Sequence, residues 1–334
     1  MHSVSSSVIV AARGVVLALL ATALALPAAE AAGAPTLAQI NQALQQGEAD
    51  KAVSLLNSLP QSSANLGEVH NLECRVRYSL QQWDAAIEKC EQAVRSEDQN
   101  AIYHLWLARA LGEKADRASF LSAFSLAKRV HDEFEAAARL GPHNVEALAS
   151  LGDFYQQAPG VVGGGLDKAE GIASQLDKLD PSRAHLLRAH IAESRKDYGT
   201  SEQELKQAIS LAAHPADSWT NLASFYKKRQ RWSEIDSAIR NCIAAAARDK
   251  QAGVALYDGA GVLIESNRDP ATAAKMLEEY LGSTSKSEEA PTFEAHVRLA
   301  KLKKQLGDTA GAQRERAAAL QLAHDYKPAL EFKL

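Results

Sequence analysis

A segment of about 34 residues recurs along almost the whole chain, and each copy has the pattern of two short helices. The copies share Cys, Leu, Gly, Ala and aromatic residues at corresponding offsets. In the three clearest copies these are Cys74, Leu80, Trp83, Ala86, Cys90 and Ala93; Leu151, Gly152, Tyr155, Ala169 and Pro181; and Trp219, Leu222, Ala223, Tyr226 and Trp232. A short helical unit buries its apolar side only against its neighbours, so the period predicts stacked helix hairpins.

The composition and the charge agree with such an array. Apolar residues make up 46% of the chain and aromatic residues only 6%. A stack of hairpins buries a continuous core at any length, so the 334 residues do not require several globular cores. The formal net charge of -4 provides no basic surface, and a nucleic acid is therefore not an expected partner.

The repeat resembles the tetratricopeptide repeat (TPR), whose pattern has a Trp-like residue, Leu-Gly, Tyr, Ala, an aromatic residue, Ala and Pro. The resemblance covers residues 36–325 and departs from the pattern at Ser201 and Ile235, where the TPR has Ala. It implies an all-α, right-handed superhelical solenoid of about eight TPR-like hairpins. It also implies a binding scaffold whose concave face recognises a protein or peptide.

The N-terminal residues differ in kind from the repeats. Arg13 is followed by an apolar run from Gly14 to Ala29, and Ala29-Glu30-Ala31 fits a signal-peptidase site. The run is shorter than the roughly 20 residues that span a bilayer, so we expect residues 1–31 to be a cleaved signal peptide. An uncleaved anchor is the alternative. Since no later segment has the apolar character of a membrane span, the mature chain is expected to be periplasmic or secreted.

The regular period is interrupted at three places. Hairpin 101–142 has about 10 residues more than the TPR template, and their pattern predicts longer helices rather than a break. The Gly-rich segment 158–165 predicts a connecting loop, with a lid or partner contact as the alternative. A polar linker, 282–292, separates the last two hairpins, and residues 326–334 form a C-terminal tail.

Motifs for catalysis are missing from the sequence. It has no H-E-x-x-H, C-x-x-C, G-x-S-x-G or P-loop pattern. His185 and His190 are five positions apart, which places them on different faces of a helix. We therefore expect neither enzymatic activity nor a cofactor or metal ion.

Two of the three cysteines fall in one hairpin. Cys74 lies in its first helix and Cys90 in its second, at similar distances from the turn. A disulfide between them would close a loop of about 15 residues and contribute on the order of 3 kcal/mol. The alternative is that both are buried free cysteines, because the repeat has packed residues at these positions. With the bridge formed, Cys242 remains unpaired in the core.

The first helices of stacked hairpins line the concave face, and the polar residues on that face are the candidate partner site. Arg75 and Arg109 have the same phase in consecutive hairpins, so together they could hold a carboxylate through paired donors. A solvated face without a ligand is the alternative. A small anionic ligand bound by a periplasmic solute-binding or transport accessory protein is another. The candidate residues are Asn71, Arg75, Tyr78, Arg109, Asp153, Gln157, His190, Lys227 and Lys228.

Overall fold

The computed structural model describes residues 35–59 and 65–334, and within these ranges the chain is helical, without a strand. The all-α array of eight hairpins is confirmed, and a short helix follows the last hairpin. The predicted signal peptide, 1–31, lies outside the described residues. The helices are α1 Leu37–Gln45, α2 Ala49–Asn57, α3 Leu66–Ser79, α4 Trp83–Ser96, α5 Ala101–Ala115, α6 Phe120–Leu140, α7 Val145–Gln157, α8 Leu166–Leu176, α9 Pro181–Ser194, α10 Tyr198–Leu211, α11 Pro215–Lys228, α12 Trp232–Ala246, α13 Gly253–Glu265, α14 Pro270–Gly282, α15 Thr292–Gln305, α16 Thr309–Leu322 and α17 Lys327–Leu330.

Small residues allow the two helices of each hairpin to pack closely. Ala86, Ala169 and Ala273 lie in the first turn of the second helices α4, α8 and α14, and all three are fully buried. Between hairpins, first helices contact first helices, as in the pairs α1–α3, α3–α5, α7–α9 and α11–α13. First helices therefore line the inner face of the array, and second helices lie outside.

The first and last hairpins contact each other, which the repeat pattern alone did not predict. Ile40 of α1 and Leu72 of α3 share one hydrophobic cluster with Phe293 of α15 and with Tyr326, and all four are at most 1% exposed. The Gln81 side-chain amide also donates a hydrogen bond of 3.1 Å to the Tyr326 hydroxyl. The array thus closes on itself. The first and last hairpins cover each other's apolar surfaces, which would be exposed at the ends of an open stack.

Gly47 makes the closure possible at the turn between α1 and α2. Its φ of +69° lies in the left-handed region, which glycine adopts without a steric penalty. A Cβ atom there would collide with the backbone nitrogen of Thr292, the first residue of α15. The Thr292 hydroxyl donates a hydrogen bond of 2.7 Å to the Gln46 carbonyl. The N-terminus of α15 therefore rests directly on this turn.

The two irregular segments in the middle of the chain are only partly packed against the array, since Phe120 and Leu121 at the start of α6 are 85% and 82% exposed. The helix α6 has 21 residues whereas α5 has 15, so the extra length of the third hairpin lies in its second helix and not in both helices. Segment 158–165 contains a 3₁₀ turn, Gly160–Val162, and Val162 is only 6% exposed. The Gly165 amide donates to the Tyr155 carbonyl at 2.8 Å. Val162 and Gly165 thus anchor this loop, whereas the neighbouring Val161 is 73% exposed.

Cys74 and Cys90 are joined by a disulfide that links α3 to α4. Their Cα atoms are 5.1 Å apart, within the range that disulfides span without backbone movement. Cys242 is a buried free thiol, and burial raises its pKa to about 12. Because the thiolate is the reactive form, Cys242 is chemically inert at neutral pH.

A membrane-spanning helix must combine length with an apolar sequence, and none of the helices that the structure describes has both.

Candidate functional site

Residues 283–291, here called the acidic linker, connect α14 to α15 and lie against the inner face. The ammonium group of Lys286 donates hydrogen bonds to the Tyr280 and Leu281 carbonyls at 2.6 and 2.7 Å, at the end of α14. The Tyr280 hydroxyl donates to the Ala290 carbonyl, and Ala290 is 1% exposed. The two ends of the acidic linker are thus fixed, and residues 287–289 span the distance between them.

Glu288 of the acidic linker forms a bidentate ion pair with Arg75 on α3. The Arg75 guanidinium donates from Nε to Oε2 at 2.9 Å and from Nη2 to Oε1 at 2.7 Å. Nη2 also donates to Asn41 Oδ1 on α1 at 2.7 Å. Each of the two charged side chains is only 13% exposed. This geometry matches the two donors of the guanidinium to the two oxygens of one carboxylate.

Glu289, the next residue, pairs with Arg109 on α5. Arg109 Nη1 lies 2.9 Å from Glu289 Oε1, and Arg109 Nη2 donates to Glu146 at the start of α7 at 2.5 Å. Burial alone would lower the pKa of Arg109, but the two carboxylates hold it above its ordinary value. Desolvation by the surrounding protein, together with the nearby Glu146 and Glu288 carboxylates, raises the pKa of the Glu289 carboxyl despite the nearby Arg109. The Glu289 side chain is 52% exposed, so this end of the ion-pair cluster is open to water.

An aromatic cluster supports the two arginines. The guanidinium carbons of Arg75 and Arg109 lie 5.4 and 4.8 Å from the ring centroid of Trp106. Tyr78 packs edge-on against the same ring at 5.4 Å and against Trp83 at 5.3 Å. Burial, followed by nearby carboxylates, raises the pKa of Tyr78, so its phenol is neutral at physiological pH. The rings hold the guanidinium groups in place through cation–π contacts.

Four of the other candidate residues connect successive hairpins. His190, Lys227 and Lys228 each lie close to an acidic side chain 35 to 38 residues away in the sequence, which is one repeat along the array. These links run between first helices, so they continue along the inner face. The pairs are His190 with Asp153, Lys227 with Glu265, and Lys228 with Glu193.

Gln157 and Asn71 have opposite surroundings. Gln157 is exposed at the end of α7, beside the Gly-rich segment, and is accessible to a partner. Asn71 is only 3% exposed, so its assignment to an accessible surface was wrong. Asn71 lies on α3, which packs against α1, α2, α4 and α5, and its side-chain Nδ2 is buried without a hydrogen-bond partner among the described residues.

Part of the inner face is acidic. Asp217 on α11 and Asp258 on α13 each keep some solvent-accessible surface, but protein atoms around their carboxyl groups exclude much of the water, and it is this burial that raises both pKa values. Burial, then Asp217 and Glu289, raise the pKa of Asp258 to about 6, whereas Arg298 opposes the shift. The two carboxylates therefore repel each other across neighbouring hairpins.

One group of potential metal ligands occurs in the part of the chain that the structure describes: Asp50, His324 and Asp325, with ligand atoms within 4.8 Å. These side chains already bond to protein groups. His324 Nδ1 lies 2.8 Å from Asp50 Oδ1, and the Gln82 amide donates to Asp325 at 2.9 Å. The Asp50 carboxylate raises the pKa of His324. The group thus serves as a polar contact between the first hairpins and the end of α16.

Sequence reasoning identified Arg75 and Arg109 as candidate carboxylate-binding residues. It missed Glu288 and Glu289, the residues that pair with them. Glu288 and Glu289 were part of a segment interpreted only as a polar linker. Their signal was present, since they are adjacent acidic residues and complement two basic residues of equal phase. The sequence did not show that the array closes, and only closure brings the acidic linker to α3 and α5.

No family model and no curated protein matches the sequence. The structure is similar to that of TTC0263, a thermophilic TPR protein in Thermus thermophilus, with a TM-score of 0.47 and 18% identity over 57% of this chain and 96% of that chain. It is also similar to the APC/C hetero-tetramer Cut9-Hcn1, with a TM-score of 0.38 and 10% identity over 88% of this chain and 54% of that chain. At these identities the similarity concerns the fold alone.

Proposed function

We propose that this protein is an exported, non-catalytic scaffold that binds a protein or peptide segment on the inner face of its helical array. The carrying observation is that a segment of the chain itself, the acidic linker, is held on this face by Arg75 and Arg109, with Glu288 and Glu289 at the centre of a turn closed by a 3.1 Å hydrogen bond from the Ala290 amide to the Ser287 carbonyl. That the face already holds a segment of its own chain supports the proposal that it binds a peptide. His190, Lys227 and Lys228 also lie on this face, where each is paired with a carboxylate of a neighbouring hairpin.

Export is supported by two independent features. The N-terminal apolar run fits a secretory signal. The Cys74–Cys90 disulfide fits an oxidising compartment, such as a periplasm or the cell exterior. N-terminal sequencing of the fractionated protein tests this part. A mature chain beginning near residue 32 is expected, whereas an intact Met1 in the membrane fraction would contradict it.

Site-specific photo-crosslinking in the producing cell tests the binding face. A photoreactive amino acid replaces Gln157 or Lys228, which are exposed on first helices, and in a control it replaces Glu88, which is exposed on the second helix α4. We expect adducts with another protein from the first-helix positions. Adducts from Glu88 alone would place the partner on the outside and refute the proposal.

A second candidate is a solute-binding or transport accessory protein that holds a small anionic ligand near Arg75 and Arg109. The observation that favours it is the bidentate grip of Arg75 on one carboxylate. A ligand that binds only the folded state raises the melting temperature. A thermal-shift screen with small mono- and dicarboxylic acids therefore separates the two candidates, because a concentration-dependent increase is expected only for the solute binder.

A further inference from the structure

The arginine site of this protein is already occupied by its own chain. Arg75 donates from Nε and Nη2 to Glu288 and Asn41, whereas Arg109 donates from Nη2 to Glu146 and forms an ion pair with Glu289 through Nη1 at 2.9 Å. An incoming carboxylate would find these donors engaged. It can bind them only if it takes the place of a glutamate that is present.

The two glutamates differ in how firmly they are held. Glu288 is 13% exposed and bidentate, whereas Glu289 is 52% exposed and meets Arg109 through a single close contact of 2.9 Å. Glu289 also lies near Glu146 and Glu288, and this repulsion adds to burial in raising its pKa. Exposed ion pairs contribute little stability, so the Glu289 contact is the one that opens first.

The residues on either side of Glu288 and Glu289 limit how an incoming carboxylate can displace these two side chains from the arginines. Lys286 is bonded to the end of α14, and Ala290 is buried beside Tyr280. The backbone of the acidic linker is therefore fixed on both sides of the glutamates. Replacement thus requires the two side chains to rotate away, with no unfolding of a helix.

We propose that Glu288 and Glu289 are an intramolecular competitor, and that the partner of the inner face is an acidic protein segment with two adjacent carboxylates that replaces them on Arg75 and Arg109. This inference rests on the proposed function, because it names the partner and the regulation of the same face. The free protein is then self-inhibited. Its apparent affinity equals the intrinsic affinity reduced by the fraction of molecules with the glutamates displaced.

The test uses a labelled peptide of three Ser-Glu-Glu-Ala units, its Ser-Gln-Gln-Ala counterpart, and fluorescence anisotropy. The full mature chain is compared with the double variant Glu288→Gln, Glu289→Gln. The matched control is Glu278→Gln with Glu279→Gln, two adjacent glutamates on α14 that are 52% and 45% exposed. Both variants carry the same change in charge, so a general electrostatic effect appears equally in both.

We expect the Glu288, Glu289 double variant to bind the acidic peptide about tenfold more tightly than the wild type and the control do, because its site is no longer occupied. The Gln peptide should bind all three weakly. Adding Arg109→Gln to the double variant should remove the gain. Circular dichroism monitors folding, and if the double variant loses helix, Glu289→Gln alone serves as the test, with a smaller gain expected.

The outcomes separate this inference from the proposed function. If the acidic peptide binds the wild type and the double variant with equal affinity, Glu288 and Glu289 are not an intramolecular competitor. If that equal binding is lost in Arg109→Gln, inner-face binding still stands. If the acidic peptide binds none of the proteins, the inference is refuted. The photo-crosslinking at Gln157 and Lys228 then decides separately whether the inner face binds a protein of other chemistry.

Discussion

Glu288 and Arg75 are 213 positions apart in the sequence, yet the Glu288 carboxylate receives hydrogen bonds from both Nε and Nη2 of Arg75. The ion pair joins the segment before the last hairpin to the second hairpin. Because both side chains are 13% exposed, it is a largely buried pair whose members depend on each other. Removing either side chain leaves the charge of the other unpaired in a poorly solvated environment.

Arg75→Ala should therefore lower the free energy of unfolding by about 3 kcal/mol, since it leaves the Glu288 carboxylate unpaired. The combined change Arg75→Leu, Glu288→Leu should cost less than Arg75→Ala, because no charge is left behind. Urea denaturation measures both. Arg117→Ala is the control, since Arg117 pairs with Glu113 at an exposed site and its removal should cost less than about 1 kcal/mol. If Arg75→Ala lowers the free energy of unfolding by no more than Arg117→Ala does, the conclusion that Glu288 depends on Arg75 is wrong.

The closure of the array can be tested at two glycines. Gly47 and Gly307 both have positive φ, +69° and +85°, at the turn of a hairpin. A Cβ atom at Gly307 meets nothing within 4 Å, whereas at Gly47 it would collide with Thr292 of the last hairpin. Gly307→Ala should cost about 1 kcal/mol through backbone strain alone. Gly47→Ala should cost about 1 to 3 kcal/mol more in denaturant melts. Equal costs would mean that the hairpins do not touch in solution.

The disulfide should contribute measurably to stability. Its cysteines are 16 positions apart, and closing a loop of that size stabilises the folded state by about 3 kcal/mol. Replacing both Cys74 and Cys90 with alanine should lower the free energy of unfolding by about that amount. A reductant should destabilise the wild type in the same way and leave the double variant unchanged. A wild type insensitive to complete reduction would show that the bridge adds nothing.

The hairpins and the inner arginines were predictable because they depend on local periodicity. A repeat of about 34 residues sets the phase of each helix, and the phase sets which side chains point inward. The long α6 and the place of the acidic linker followed in the same way. These properties need only neighbours in sequence.

Closure and its consequences were not predictable from the same reasoning. Whether the first hairpin meets the last depends on the sum of small rotations at every junction, and the repeat pattern does not determine that sum. The contact of Gly47 with Thr292 and the occupation of Arg75 by Glu288 both follow from closure. Arg75 does bind a carboxylate through paired donors, but that carboxylate belongs to Glu288 of the same chain, and the use of this site by a partner stays a prediction.

Ser201 provides a test at a departure from the repeat. The TPR pattern has Ala at this position, and the structure buries Ser201 completely, with no hydrogen-bond partner for its hydroxyl among the described residues. An unpaired buried hydroxyl costs about 1 to 3 kcal/mol. Ser201→Ala should therefore raise the free energy of unfolding by about 1 kcal/mol. Ser174→Ala, at an exposed site on α8, should change it by less than about 0.5 kcal/mol. A destabilised Ser201→Ala would indicate a partner such as bound water.

Asp258 gives the stability of the fold a dependence on pH. Its carboxyl has a pKa of about 6 in the folded protein, raised by burial, Asp217 and Glu289 and opposed by Arg298. In the unfolded chain an aspartate has a pKa of about 4. Between pH 7 and pH 5 the folded form therefore takes up a proton that the unfolded form does not, so lowering the pH stabilises the fold at this residue.

Asp258→Asn, which cannot ionise, should accordingly melt at a higher temperature than the wild type at pH 7, and this difference should shrink at pH 5. Melting curves at the two pH values measure it. The control Asp116→Asn changes an exposed residue at the end of α5 and should alter stability by less than about 0.5 kcal/mol at either pH. If Asp258→Asn lowers the melting temperature at pH 7, the carboxylate is stabilised by a cation or a donor on the inner face. The repulsion inferred between Asp258, Asp217 and Glu289 would then be wrong.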